Sequence, residues 1–351
     1  MHKEKNVSCP EKKQKTQPFL PSFLPSPSPS DLNPAAMSRP LLVVLVVLVV
    51  LSCVEAARYT VVIGVDGMGG EFYFPNGETP VMDGLMANGS ATLAMQDVIM
   101  TSSSQNWMSM IAGASPDQHG VFDNNWEVGD STPTPTMFAV LREQRPNATI
   151  AVFHHWTGFG RLVEPGVPDV IEAPGDEDQT TKAAIDFLTN GRFPHPDLLF
   201  VHLDHVDAAG HSRLWGSNAY YEALNKADRL IGDMVDTLDL VGMLQDTAIF
   251  ISSDHGGEFF LHDPDTEECR YIPFIASGAG INKGVSIQRE LRVYDLAATV
   301  VESMGLQRPA SWIARPVYEA LATHVPQPAP SQKLGVLMVT EYKWIYDTTG
   351  R

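Results

Sequence analysis

Thr247-Ala-Ile-Phe-Ile-Ser-Ser-Asp254-His255-Gly-Gly-Glu-Phe-Phe-Leu-His262 opens as a strand, ends that strand on a carboxylate and an imidazole, and reaches a second imidazole seven residues later. The unbroken apolar run Thr247–Ser252 has the length of a strand covered on both faces. Tyr59–Val65, followed directly by Asp66, has the same form. So do Leu198–Leu203, followed by Asp204, Asp207 and His211, and Thr149–Phe153, followed by His154, His155 and Trp156. Helical patterns at Thr79–Asn88, Thr136–Arg145, Gln179–Asn190 and Ser217–Val241 lie between these runs. Alternation of this kind predicts an α/β chain, a three-layer α/β/α sandwich around a mainly parallel sheet, in a single domain over residues 57–325 with no internal repeat.

Such a sheet binds ligands outside the carboxyl ends of its strands. Asp66, Asp207, His211, Asp254, His255 and His262 are therefore expected on one rim. Any one of them alone reads as a helix cap, a turn former or a hydrogen-bonded histidine. Six together read as a metal cluster, and a donor set of carboxylate and imidazole without paired cysteines suits zinc or a similar divalent ion. His154, His155 and Asp204 end strands on the same rim and are candidates for the wall of a substrate pocket.

Between the first two groups lies Thr101-Ser-Ser-Ser-Gln-Asn106-Trp-Met-Ser-Met-Ile-Ala-Gly113-Ala-Ser-Pro-Asp-Gln-His-Gly-Val-Phe-Asp-Asn124-Asn-Trp126. A hydroxyl-rich turn leading into an apolar helix puts serines at a helix N-terminus, where free N–H groups and the helix dipole favour an anion. Capping accounts for one of these hydroxyls and leaves the others over. Asn106 joins the pocket candidates.

The rest of the composition sets limits. The 351 residues are 44% apolar and carry a formal charge of −18, which excludes a surface built to neutralise a nucleic-acid backbone. Residues 1–36 are Lys- and Pro/Ser-rich and read as a disordered extension, for which a start at Met37 is the simpler account. Met37-Ser-Arg-Pro, the run Leu41–Leu51 and the small residues Val54 and Ala56 have the form of a secretory signal peptide over 37–56. An uncleaved anchor is the other reading of that segment, although eleven apolar residues fall short of the ~20 that span a bilayer. From Ala57 on there are 18 basic and 38 acidic side chains and one cysteine, Cys269, so no disulfide can form within that part. Asn88-Gly-Ser and Asn147-Ala-Thr are glycosylation sequons, and residues 326–351 follow a Pro-rich stretch as a C-terminal tail. The expectation is a secreted or lumenal protein without a stable membrane anchor; its oligomeric state stays open.

Val65-Asp66-Gly67, Ser103-x-x-Asn106-Trp…Gly113-x-x-Pro116-x-x-His119-Gly120, Asp207-x-x-x-His211, Ser253-Asp254-His255-Gly-Gly with His262, and Ile272-Pro-Phe-Ile…Gly278-Ala-Gly-Ile281 occur in one order. In that order and spacing, Tyr59–Leu321 resembles the alkaline phosphatase superfamily, and most closely its type I phosphodiesterase/nucleotide pyrophosphatase branch. The resemblance implies two metals, and the donor set makes zinc the expected divalent ion for both. Asp66, Ser103, Asp254 and His255 would hold one; Asp207, His211 and His262 would hold the other. It also implies Ser103 as nucleophile, ten residues before Gly113, and Asn124 as the phosphate-binding amide. The expected partner is a small phosphate ester.

This chain reads Ser103-Ser-Gln-Asn106 where that branch usually has Thr-Phe-Pro-Asn, which keeps Ser102 as the next candidate nucleophile. It also lacks the branch's long insertion before the last histidine. Sulfatases share the fold but call for Pro and Arg at +2 and +4 from the nucleophile, where this chain has Gln105 and Trp107. A phosphomonoesterase tends to supply an arginine, and none lies between Ser103 and Arg142. That tilts the reading toward diesters, with a monoesterase as the alternative and a non-catalytic binding protein on the same scaffold as a more distant one.

Overall fold

The computed structural model describes residues 57–72, 78–99, 101–126, 134–191 and 195–322. The extension 1–36, the signal segment 37–56 and the tail 326–351 lie outside the described residues. Everything described belongs to the unit that begins at Val54.

Eight strands form one sheet: β1 (Tyr59–Val65), β2 (Ser90–Gln96), β3 (Ile150–His154), β4 (Val170–Glu172), β5 (Leu198–Leu203), β6 (Thr247–Ser252), β7 (Tyr271–Gly278) and β8 (Val285–Ser286). Their order is β4-β3-β5-β1-β6-β7-β2-β8. β1 pairs in parallel with β5 and β6, and β3 with β4 and β5, while β7 runs antiparallel to both β6 and β2. The mainly parallel sandwich is thus present.

Successive residues of the central strands alternate between two apolar cores, which is why their sequences show no polar face. Val62, Phe200, Phe250 and Phe274 pack under α2 (Ser103–Ala112), α3 (Met137–Gln144) and α7 (Asp295–Ser303). Val61, Ile63, Leu199, Val201, Ile249 and Ile251 pack under α1 (Pro80–Ala87), α4 (Glu177–Thr189) and α6 (Asn218–Leu240). The remaining long helix, α5 (His205–Arg213), leaves the end of β5 directly.

The registers Val65↔Leu203 and Gly64↔Ser252 bring the three central strands to the same level. Asp66, Asp204 and Ser253 consequently leave the sheet side by side.

Candidate metal centre

Each of the six rim residues is placed by the way its strand ends. Asp66 follows β1, and its backbone N–H donates to Leu203 O (2.8 Å), tying the turn to β5. Gly67 next to it has φ +71, and a Cβ there would come within 2.7 Å of Asp207 Cα. Only glycine lets the β1 turn approach α5 this closely. Ser253 Oγ receives Met68 N–H (2.9 Å) and donates to His255 O (2.9 Å), which fixes the Asp254-His255 turn against the same loop.

Asp66, Asp254 and His255 offer one ligand atom each, all mutually within 4.8 Å, and so do Asp207, His211 and His262. The structure thus brings together the carboxylates and imidazoles named for each of the two sets, and it also places Asp66, His202 and Asp204 within the same distance of one another. The rings of His255 and His262 stack at 3.8 Å, joining the sets, and His211 stands edge-on to His262 at 5.0 Å. Ser103 Oγ lies 3.4 Å from His255 Nε2, which itself is 3.3 Å from Asp254 Oδ2 and 3.5 Å from Asp66 Oδ1. Ser103 opens α2, so its hydroxyl meets the cluster at a helix N-terminus, whereas Ser102 occupies the cap position. Asn124 Oδ1 accepts Ser104 N–H (2.8 Å), which ties its side-chain amide to the first turn of α2.

The donors suit a divalent cation. Asp66 Oδ1, Asp254 Oδ2, Asp207 Oδ1 and His262 Nδ1 are buried with no hydrogen-bond partner. His255 Nδ1 donates to Gly256 O (2.8 Å), which leaves Nε2 as a free lone pair. His211 Nδ1 donates likewise to Phe260 O (2.8 Å), turning its Nε2 toward Asp207 Oδ1 at 3.4 Å.

The electrostatics point the same way. Burial, with the neighbouring Asp66 and Asp207, pushes the Asp254 carboxyl well above its usual range. Burial, with Asp66 and Asp204, raises Asp207 to about 9. Burial also holds His255 down at about 3, reinforced by His262. Carboxylates crowded enough to retain protons and imidazoles kept neutral are groups that a cation would satisfy. Asp66 is the exception: burial raises it, but the His202 hydrogen bond and the facing His255 more than reverse that and hold it at about 2.

The pocket candidates divide. Asp204 and His155 are partly exposed neighbours (3.9 Å) beside the cluster, with burial raising Asp204 to about 8 and lowering His155 to about 4. Asn106 and His154 require correction. Asn106 is fully buried in α2, and its Oδ1 accepts Val98 N–H (2.9 Å), so it anchors the loop leading to Ser103. His154 is buried at the end of β3, with Nδ1 on Trp156 O (2.9 Å) and Gly160 closed over its ring. Both side chains are buried and held by backbone partners.

Three residues escaped the sequence reading. Trp107 Nε1 donates to Asp66 Oδ2 (3.0 Å), and His202 Nε2 lies 3.2 Å from the same oxygen. The one visible sign of the latter was a histidine inside an otherwise apolar strand. Arg161 donates to the backbone carbonyls of Trp126 (3.3 Å) and Asn124 (3.4 Å), so an arginine distant in sequence is tied to the backbone of the candidate phosphate-binding residue.

Comparison with known proteins places the chain in a family and a fold. The family model described as type I phosphodiesterase / nucleotide pyrophosphatase matches residues 60–158 and 134–263. Ectonucleotide pyrophosphatase/phosphodiesterase family member 1 of Mus musculus is 24% identical over 216 residues, covering 57% of this chain and 24% of that protein. The chain spans less than a third of the length of the curated relatives it matches. Murine ectonucleotide pyrophosphatase/phosphodiesterase 5, an inactive variant in complex with AMP, superposes with a TM-score of 0.60 at 13% identity, over 72% of this chain and 96% of that one. A 2-O GAG sulfatase superposes at 0.63 and 14% identity, over 75% of this chain and 73% of that one.

Proposed function

The chain belongs to the type I phosphodiesterase/nucleotide pyrophosphatase family, and on that premise we propose that it is an exported, metal-dependent hydrolase of phosphate esters, with diesters favoured. The observation that carries the reading is the position of Ser103 Oγ at a helix N-terminus, against a rim where two sets of carboxylates and imidazoles converge. Asp66, Asp254, His255 and Ser103 would hold one zinc, and Asp207, His211 and His262 the other. When bound, the pair supplies Lewis acidity, lowering the pKa of a hydroxyl or water and offsetting charge on phosphate oxygens.

The remaining steps belong to the protein. The N-terminus of α2 and the Asn124 amide receive a non-bridging oxygen, and hold the phosphorus in line with Ser103 Oγ. The Oγ–P bond forms as the bond to the leaving alcohol breaks; the serine proton goes to solvent and the alcohol takes one up. Water then attacks the phosphoseryl group, and Ser103 departs. The AMP held by the murine relative makes a nucleotide diester the first natural-type substrate to assay.

Export is supported by the sequence from Met37 and by the exposure of both sequon asparagines, Asn88 and Asn147. No helix among the described residues is long and apolar enough to cross a membrane.

One observation favours the monoesterase reading. Arg161 beside Asn124 offers a cation for a doubly charged phosphate, which the sequence spacing had argued against. Turnover of a matched aryl diester, aryl monoester and aryl sulfate separates the readings. The diester is expected to lead; a monoester preference of orders of magnitude selects the second reading, and a sulfate preference contradicts both.

A further inference from the structure

The two oxygens of the Asp66 carboxylate differ completely in their surroundings. Oδ2 is met by Trp107 Nε1 at 3.0 Å and His202 Nε2 at 3.2 Å. Oδ1 has no hydrogen-bond partner and turns toward His255 Nε2, which Asp254 and Ser103 also face. We propose that His202 is a positioning residue of the metal centre. With Trp107 it pins Oδ2, so that Oδ1 is the atom presented to the cation of the Asp66 set. This assignment rests on the two-cation reading given above.

The surrounding packing serves that one bond. His202 is fully buried in β5, where it pairs with Gly64 of β1 and His154 of β3, and its ring lies between Trp107 (4.8 Å) and Phe159 (5.3 Å). Trp107 reaches Asp66 only because residue 64 is glycine: a Cβ there would stand 2.4 Å from the indole ring. With Asp66 Oδ2 as acceptor, Nε2 carries the ring proton, and Nδ1 is left buried without a partner. A nitrogen stranded in this way is a cost that an apolar ring of the same shape would avoid. The hydrogen bond to Asp66 is what an imidazole adds at this place. Ligating carboxylates and imidazoles elsewhere depend on such outer partners for their orientation and basicity.

Asp66, His202 and Asp204 also come within 4.8 Å of one another, so direct ligation by His202 is the competing role. Zinc titration of the full chain against a fluorescent chelator distinguishes the two, with Asp254→Asn marking which binding step belongs to the Asp66 set. In His202→Phe that step is expected to weaken roughly 10- to 100-fold while the Asp207-set step holds. His202→Gln, which restores an N–H donor, should return it to within a few-fold of wild type. If His202→Phe does not fold, Trp107→Phe removes the other donor to the same oxygen and should weaken the same step. Unchanged affinities, or a glutamine variant as impaired as the phenylalanine one, overturn the assignment. A third zinc lost from His202→Phe with the other two intact overturns it in favour of ligation. A wild-type chain that takes up no zinc instead overturns the two-cation reading on which the assignment rests.

Discussion

Of the four neighbouring hydroxyls, that of Ser103, in the first turn of α2, lies 3.4 Å from His255 Nε2; Thr101 donates to the backbone of His262, and Ser102, at the cap position, makes no side-chain capping bond. Ser103→Ala should lower turnover of an aryl phosphodiester by roughly 10^4-fold or more. Its circular dichroism and zinc content should stay near wild type; a variant that keeps substantial turnover excludes Ser103 as the nucleophile. Arg161 carries a second prediction at this scale. Arg161→Gln is expected to reduce kcat/KM for an aryl monoester more than for the matched diester, by about tenfold in the ratio if the guanidinium reaches the second phosphate charge. Asp66, Asp254 and His255 were legible as candidates because charged or imidazole side chains close behind a buried strand stand out against their surroundings, and Asp207, His211 and His262 because they follow strand ends in the same order. His202 was not, since its strand gave no sign that its neighbour would be Asp66. Asn106 and His154 misled because proximity to the site in sequence says nothing about which way a buried side chain turns.

At the scale of elements, the centre depends on β1, β5 and β6 ending level and on α2 packing against β1. Gly64 is where that packing is tightest. Gly64→Ala would drive a methyl group into the Trp107 ring, and the overpacking should cost about 1–3 kcal/mol of stability, read as a lower denaturation midpoint. Zinc affinity should fall with it, because Trp107 is displaced from Asp66; a variant with unaltered stability and affinity would show that the indole has room to move. The central parallel strands were legible from their unbroken apolar runs. β2 and β7 were not, for physical reasons. Ser90–Gln96 is only partly buried, and Pro273, which lacks an N–H, interrupts Tyr271–Gly278. The sheet accommodates the proline where β2 shifts register between Thr92 and Met95, on either side of it.

For the whole molecule, the charge of −18 that excluded a nucleic-acid surface includes three carboxylates gathered where cations would offset them. That arrangement makes stability without metal depend on pH. Burial raises Asp97 to about 9, with Arg270 pulling partway back, and raises Asp204 and Asp207 to about 8 and 9. An unfolded aspartate ionises near 3.8, so the folded chain holds protons that the unfolded chain has lost. Stability therefore declines as pH rises from about 4 until those groups ionise at 8 to 9. On the acid side, burial holds His119 and His155 near 4 and His255 near 3, so stability falls as pH drops below 6.5, where unfolded imidazoles take up protons. The two effects oppose each other below pH 6.5, and only the carboxylates act above it. Chelator-treated protein should lose Tm between pH 6.5 and 9, and the Tm gained on adding zinc should grow across the same window. A Tm independent of pH in that range, with and without zinc, contradicts this charge distribution.

The most direct measurement is turnover of an aryl phosphodiester by chelated, metal-free chain as zinc is returned in measured equivalents, with bound zinc determined on the same samples. A centre built from the Asp66 and Asp207 sets requires no turnover without metal and full activity at two zinc per chain. Undiminished turnover by the metal-free chain contradicts it.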